Sequence, residues 1–407
     1  VTTSLSTSRP DEGFVEPREQ VLDSARRVQA WVEQRHYRGY DPGDGLTSFL
    51  RPLTFGTLLG ERILQQAIWK APFNVRPLVG VRPQESTKGR GFMAWGYVLL
   101  HRATGDQSAA TKARECLAWL DQARERGHAG HCWGNHFDFS ARSGRMKAHT
   151  PTIVWSGLIG QAYLEAYQEW HDPAHLDVAD SICRWILTLP REETSRGVCL
   201  SYTPDEQCSV HNSNLLGAAL LARTAQYRPN TAYRDFARAA VEYSCTRQLT
   251  DGAWWYGEEP QYHWIDNFHT GYNLDSIRRY VDATNDASVQ PHLARGYEYF
   301  KTVFFEPSGR PRYYHNRTFP VDIQCAAQAI DTFCLFSDRD PAALPMALKV
   351  ATWTITHFQD RSGYFYYRKY PVLTARTPYF HWGQATMFKA LAHLLVKLGV
   401  RSNTNSS

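Results

Sequence analysis

The chain lacks several features at once. No apolar run approaches the roughly 20 residues that cross a bilayer, and mean hydropathy is −0.47, so no membrane span is expected. There is no block of like charge: 45 Lys and Arg stand against 40 Asp and Glu, a net charge of +5. Without a basic stretch, nucleic acid is not an expected partner. The eight cysteines are scattered and form no CxxC pair. That argues against a disulfide scaffold and for buried, reduced thiols in a cytoplasmic protein. Residues 1–10 are rich in Ser and Thr but carry no apolar core, so they are not read as a secretory signal. Strand and helix patterns do not alternate, which speaks against a TIM barrel.

What the chain has is a repeat. A glycine followed by alternating aromatic or apolar residues returns five times, beginning at Gly130, Gly197, Gly252, Gly309 and Gly363. The glycines stand 67, 55, 57 and 54 residues apart, a period that marks a repeat architecture. Pairs of helical patterns follow the segments: 150–170 with 174–189, 211–226 with 232–248, 266–283 with 290–304, and 322–336 with 342–359. Residues 382–398 open one more. Upstream, 88–101 pairs with 108–126, and 19–34 can pair with 47–70. The first helix of each pair is rich in small residues (Gly157, Gly160, Gly217, Ala326, Ala327), as close-packed inner helices require. The second helices carry more charge and suit an outer ring.

Six first helices, starting near Lys88, Thr150, His211, Asp266, Asp322 and Trp382, predict an all-α (α/α)6 toroid with short aromatic β-like segments at one mouth. The 19–34 helix is the candidate partner for the last. One domain is expected over 17–400, between disordered tails at 1–16 and 401–407. An open solenoid is the rival, but neither end has the polar face of a cap.

The polar residues at the inner-helix starts are the candidate site. Helix capping accounts for Asp266, Asn212 and Asp322 one by one. It does not account for His149, His211, His269 and His381 at equivalent starts. Asp266 and Asp322 form a candidate acid/base pair, assisted by His211 and His269. Alternatively, His211, His269, Tyr314 or Tyr367 removes a proton alpha to a sugar carboxylate, with Arg368 and Arg76 holding the anionic group. Trp133, Trp255, Trp264, Trp382 and Tyr367 are expected to stack on sugar rings. His149, Asn212, Tyr314, Gln324, Arg368 and Gln384 line the same mouth. Asp41 and Asp44, in a Gly- and Pro-rich loop, are read as a turn.

Two resemblances attach to these segments. Gln248-Leu249-Thr250-Asp251-Gly252-Ala253-Trp254 resembles the QxxxGxW repeat of squalene- and terpenoid-cyclase toroids, and Gln359 to Phe365 is a weaker echo. The DxDD acid motif of those cyclases is missing. Cys132, Cys208 and His211 are set against the Cys, Cys, His zinc site of lantibiotic-cyclase toroids. The adjacent Cys-His dipeptide of that family is absent, so neither metal nor cofactor is expected.

Over nearly its whole length, at 40–46, 149–154, 210–216, 251–255, 264–272, 321–327 and 379–387, the chain resembles a bacterial toroid family found with surface-polysaccharide genes. Members are sometimes labelled delta-aminolevulinic acid dehydratase, a label these residues do not support. Asn74, Arg76 and Lys88 lie in the resembling part, and Gly43 departs from it. The resemblance implies a toroid like those of six-hairpin glycosidases, uronate lyases and sugar epimerases. The expected function is a carbohydrate-active enzyme on a sugar, oligosaccharide or uronic-acid glycan: hydrolase, lyase or epimerase. An isoprenoid or natural-product cyclase and a non-catalytic glycan-binding toroid are the alternatives.

Overall fold

The computed structural model describes residues 16–141 and 144–400. The tails expected at 1–16 and 401–407 lie outside the described residues, except for Glu16. The helices are α1 Pro17–Glu33, α2 Leu58–Lys70, α3 Thr87–Thr104, α4 Gln107–Gln122, α5 Ile153–Trp170, α6 Pro173–Ile186, α7 His211–Tyr227, α8 Thr231–Cys245, α9 Asn267–Thr284, α10 Gln290–Val303, α11 Ile323–Phe336, α12 Ala343–Phe358 and α13 Ala385–Val400.

Helices α3, α5, α7, α9, α11 and α13 each pack on the next, and α13 returns to pack on α3. That is a closed inner ring. Its members lack an outward polar face because neighbours cover them on nearly every side, and they are buried along most of their lengths. Glycine lets them approach: a Cβ on Gly160 of α5 would meet the Leu220 side chain of α7 at 2.5 Å. The outer helices α4, α6, α8, α10 and α12 each pack on the inner helix before them, and α1 packs on α13. The first helix of the chain thus supplies the outer partner that the last one lacks. The result is an (α/α)6 toroid.

Helix α2 corrects one expected pairing. It does not pair with α1. It packs instead on the short turns Asp44–Thr47 and Arg51–Thr54 and on the strand Phe139–Ser140, at the mouth. Its sequence has only three buried positions, Glu61, Gln65 and Ile68, too few for a place between two layers of helix.

The five repeat segments are wedges between the inner and outer rings. Each leading glycine is seated on a backbone carbonyl of the next outer helix: Gly130 on Ser181, Gly197 on Ala239, Gly252 on Arg295, Gly309 on Lys349 and Gly363 on Arg27. Four of the five have φ between +88° and +105°, a region closed to most side chains. Two glutamines repeat the same tie. Gln248 Nε2 donates to Gly252 O (2.9 Å) and to His292 O of α10 (3.0 Å). Gln359 Nε2 donates to Gly363 O (2.9 Å) and to Ser24 O of α1 (3.0 Å). The QxxxGxW signature is therefore a device of construction. Its Trp254 is buried, with the indole donating to Ser244 O.

Gly252→Ala and Gly363→Ala are each predicted to cost about 3 kcal/mol or more, since strain at positive φ adds to a Cβ clash. That Cβ would lie 2.5 Å from Arg295 O and 2.6 Å from Arg27 O, respectively. Gly105→Ala, where φ is +73° but nothing lies within 4 Å, should cost only about 1 kcal/mol. Chemical denaturation of the three variants makes the comparison, and equal losses would refute the wedge.

Candidate functional site

Every inner helix begins at the same end of the toroid, so side chains at the six starts share one mouth. Asp266 caps α9, its carboxylate accepting from the His269 backbone N–H at 3.0 Å. The other oxygen accepts from His269 Nδ1 at 2.7 Å and from the Trp264 indole at 2.9 Å. Asp266 is buried, and both its oxygens are taken by donors, one of them His269 Nδ1. The Nε2 of His269 has no partner among the described residues. Around this pair, Trp264 stacks on Tyr256 at 4.4 Å, and Asn212, Trp255, Thr270 and Asn273 line a small closed hollow. Asn212 is not the N-cap expected of it. It lies inside the first turn of α7, and its buried Oδ1 has no partner.

Asp322 caps α11 in the same way. Its oxygens accept from Gln324 N (2.9 Å), from the Trp382 indole (2.9 Å) and from Arg368 Nε and Nη2 (2.7 and 2.6 Å). Arg368 is held between the rings of Tyr313 and Tyr367. Asp266 thus anchors an indole and an imidazole, and Asp322 an indole and a guanidinium. The two carboxylates are not the free acid/base pair expected of them.

A third cluster forms where Asp41, Lys88, His136, Trp155 and His381 meet. Asp41 is buried; one oxygen accepts from His381 Nδ1 (2.8 Å) and from the His381 backbone N–H (2.9 Å). Its other oxygen has no partner among the described residues. Burial would raise the Asp41 carboxyl, but the His381 charge and hydrogen bonds outweigh it and hold it below the usual range. Lys88 Nζ lies 4.6 Å above the Trp155 ring and makes no hydrogen bond among the described residues. Burial lowers its pKa to about 8, partly offset by Asp41. Burial likewise lowers His136 to about 4, so that imidazole is neutral near pH 7.

Sequence reasoning had His381 in the polar funnel and Lys88 in a resembling segment, but took Asp41 for a turn and passed over His136 and Trp155. The Asp41–His381 contact joins positions 340 residues apart, and no local pattern announces it. Asp44 also departs from a plain turn: it forms a buried ion pair with Arg76 at 2.8 Å, which fixes the loop that carries Asp41. Arg76 thereby anchors the loop through Nε and Ile68 O through Nη1, while its buried Nη2 has no hydrogen-bond partner.

Several other expected site residues are elsewhere. His211 is buried with Nδ1 on Ser244 of α8 and Nε2 on Glu258 (2.7 Å), so neither nitrogen is left for substrate or zinc. Trp133 is fully buried, its indole donating to Leu120 O; it is the counterpart of Trp254 and no sugar platform. Gln384 is fully buried and ties the backbone of Phe365. Gln324 is buried against the Tyr272 hydroxyl. His149 stands on the outer rim, 65% exposed, paired with Glu125. The Tyr367 hydroxyl accepts from the Trp69 indole of α2, and burial raises its pKa well above the ordinary value, so it is no base. Tyr314, its pKa also raised by burial, does line the mouth.

The open cleft at this mouth holds about 700 Å³ and is walled by Tyr202, Tyr256, Tyr262, Trp264, Tyr314 and Arg317. A larger hollow of about 1030 Å³ on the outer surface, between α8 and α10, contains none of the groups described above. Tyr256 and Trp264 belong both to this cleft and to the small hollow that holds Asp266 and His269.

No protein-family model and no curated protein matches the sequence. Solved structures do match its fold. A cellobiose 2-epimerase from Bacillus thermoamylovorans superposes with a TM-score of 0.62 at 11% identity, over 79% of this chain and 90% of its own. A GH76 α-mannanase from Bacteroides thetaiotaomicron gives 0.61 at 13% identity, over 79% and 88%. An unsaturated glucuronyl hydrolase specific for heparin gives 0.64 at 10% identity, over 95% and 98%. The shared feature is the six-hairpin toroid.

The environment of Lys88 makes a signed prediction. Its folded pKa, about 8, lies below the ordinary lysine value of 10.5. Below pH 8 the fold carries the cost of a buried charge. Between about 8 and 10.5 the unfolded chain binds the extra proton, so the wild type gains stability as pH rises. Relative to Lys88→Met, the wild-type unfolding midpoint should climb over that interval. A constant difference from pH 7 to 10.5 would show an ordinary surface-like lysine.

Proposed function

We propose that this protein is a sugar-active enzyme that moves a proton at a carbon next to a carbonyl, as an epimerase or isomerase of a reducing sugar. One observation carries the reading. His269, in the first turn of α9, and His381, in the turn that leads into α13, each give Nδ1 to a buried carboxylate, and Nε2 of each has no partner among the described residues. A carboxylate on Nδ1 sets the tautomer and leaves Nε2 as the proton-accepting atom. Two such bases suit inversion at one carbon. One imidazole takes the C–H proton and the electron pair moves onto the carbonyl oxygen, forming an enediolate. The other, as imidazolium, returns a proton to the opposite face of that carbon. Lys88, close by, supplies positive charge for the enediolate oxygen. Trp264, Tyr256 and Tyr314 offer ring faces for the sugar.

Glycoside hydrolysis is the less supported chemistry. It needs one carboxyl to donate a proton and a second to attack or activate water, whereas Asp266 and Asp322 are occupied by indole, imidazole and guanidinium donors. A cyclase would need an acid above an apolar chamber, and this mouth is rimmed by imidazoles and Lys88. Among the solved structures that share the fold, one is a sugar epimerase from a ruminal bacterium and another a cellobiose 2-epimerase, which agrees with the proton-transfer reading. A sugar or oligosaccharide is the expected substrate, in a polysaccharide or glycoconjugate pathway.

The test is proton exchange in D2O against a panel of reducing mono- and disaccharides, followed by NMR. Wild type should place solvent deuterium at the carbon beside the carbonyl. His269→Asn and His381→Asn should each lower the rate by about 10³-fold, within the range of general acid–base catalysis. Asp266→Asn and Asp41→Asn should lower it by about 10-fold to 100-fold, by loosening the imidazoles. Release of new reducing ends without exchange, or full activity in both histidine variants, would reject the assignment.

A further inference from the structure

The toroid has one unusual outer face. Among the described residues, every large apolar side chain that is strongly exposed lies at 49–78 or 372–373. Phe55 is 88% exposed, Leu78 72%, Leu53 69% and Val372 98%. These positions belong to one lobe at the mouth. Helix α2 packs on the turn Arg51–Thr54, Arg76 Nη1 donates to Ile68 O of α2, and Ser48 Oγ donates to Val79 O. The Trp69 indole and the Tyr367 hydroxyl tie the end of α2 to the hairpin that carries Val372. Exposed apolar side chains scattered singly are ordinary, but a cluster of this size on one rim calls for something to cover it.

The charges on the lobe say what that is. From 48 to 84 the chain has five basic residues and a single acid, Glu61; from 368 to 376 it has three basic residues and no acid. Glu61 is buried and paired with Arg51 and Arg145. Arg62, Lys70, Arg82 and Lys369 form no ion pair among the described residues. Apolar side chains interspersed with unpaired cations fit an interface rich in anionic headgroups, where the rings and aliphatic groups enter the acyl boundary and the cations meet phosphate. A second copy of the chain fits worse. A two-fold contact would set this cationic face against itself, and like charges across an interface oppose association. No helix among the described residues is long and apolar enough to cross a membrane, so the contact is with a surface.

We propose that this lobe docks on an anionic lipid bilayer and holds the mouth of the toroid next to it. The test is co-sedimentation of the full chain with vesicles of phosphatidylcholine alone or with 30 mol% phosphatidylglycerol (about one lipid in three, an experimental choice). Binding is expected to the anionic vesicles only and to fall as salt is raised. Arg62→Glu with Lys70→Glu should weaken it by about 10-fold or more, and Leu59→Glu with Ile63→Glu should abolish it. All four positions are exposed or half-buried on α2, so circular dichroism should match wild type. The wild-type salt dependence needs no variant at all. Equal binding to neutral vesicles, or no binding to either, overturns the proposal. So does a dimer in sedimentation velocity that Leu59→Glu with Ile63→Glu splits, which would give the lobe to a second copy.

Discussion

Five glycines seated on five backbone carbonyls set the dimensions of this molecule. Each wedge holds a mouth segment against the next outer helix at a separation that admits no Cβ. Because the seat is a carbonyl of the main chain, no side-chain rotation relieves the contact. The same segments lead into the inner helices, so the wedge also sets where each inner helix begins. Moving one wedge outward by the width of a methyl group would shift a helix start, and with it the residue that caps it. Gly363 on Arg27 of α1 is the most consequential of the five, since it joins the two ends of the chain into one ring.

On that frame, the mouth repeats one arrangement: a buried carboxylate, at a helix start for Asp266 and Asp322 and in a loop for Asp41, holds a neighbouring imidazole, guanidinium or indole. Asp266 holds His269 and Trp264, Asp322 holds Arg368 and Trp382, and Asp41 holds His381. Helix capping and site construction are therefore one arrangement, not rival explanations. The capping bond takes one oxygen of Asp266, and the remaining oxygen is already fixed in direction when it meets the imidazole. A carboxylate committed in this way gives up its own acid/base chemistry, and the free atom moves out to Nε2 of the histidine. This is the physical ground for preferring proton transfer at carbon over glycosidic cleavage.

The lobe made by α2 and its flanking turns stands outside the repeat. It contributes the Asp44–Arg76 pair that steadies the Asp41 loop, and it covers Tyr367 through Trp69. Its inner side is thus part of the site while its outer side is apolar and cationic.

The sequence by itself determined the ring. Glycine periodicity, small residues in alternate helices and the spacing of helix starts are local signals, and each is imposed by close approach of backbones that only glycine or alanine permits. It also marked the mouth, with Asp266, His269, Trp264, Asp322, Arg368 and Trp382 among the residues that meet there. The tertiary structure alone decided which polar groups remain free. His211 and His269 occupy the same kind of position in sequence, yet one is turned outward onto Ser244 and Glu258 and the other is turned to the mouth. Trp133 and Trp264 are both repeat-associated tryptophans, yet one is core and one is wall. Side-chain direction depends on the neighbour across the ring, and the decisive neighbour of His381 is Asp41, 340 residues away. Periodicity reports which helix a residue belongs to; only packing reports which of its atoms are left unpaired.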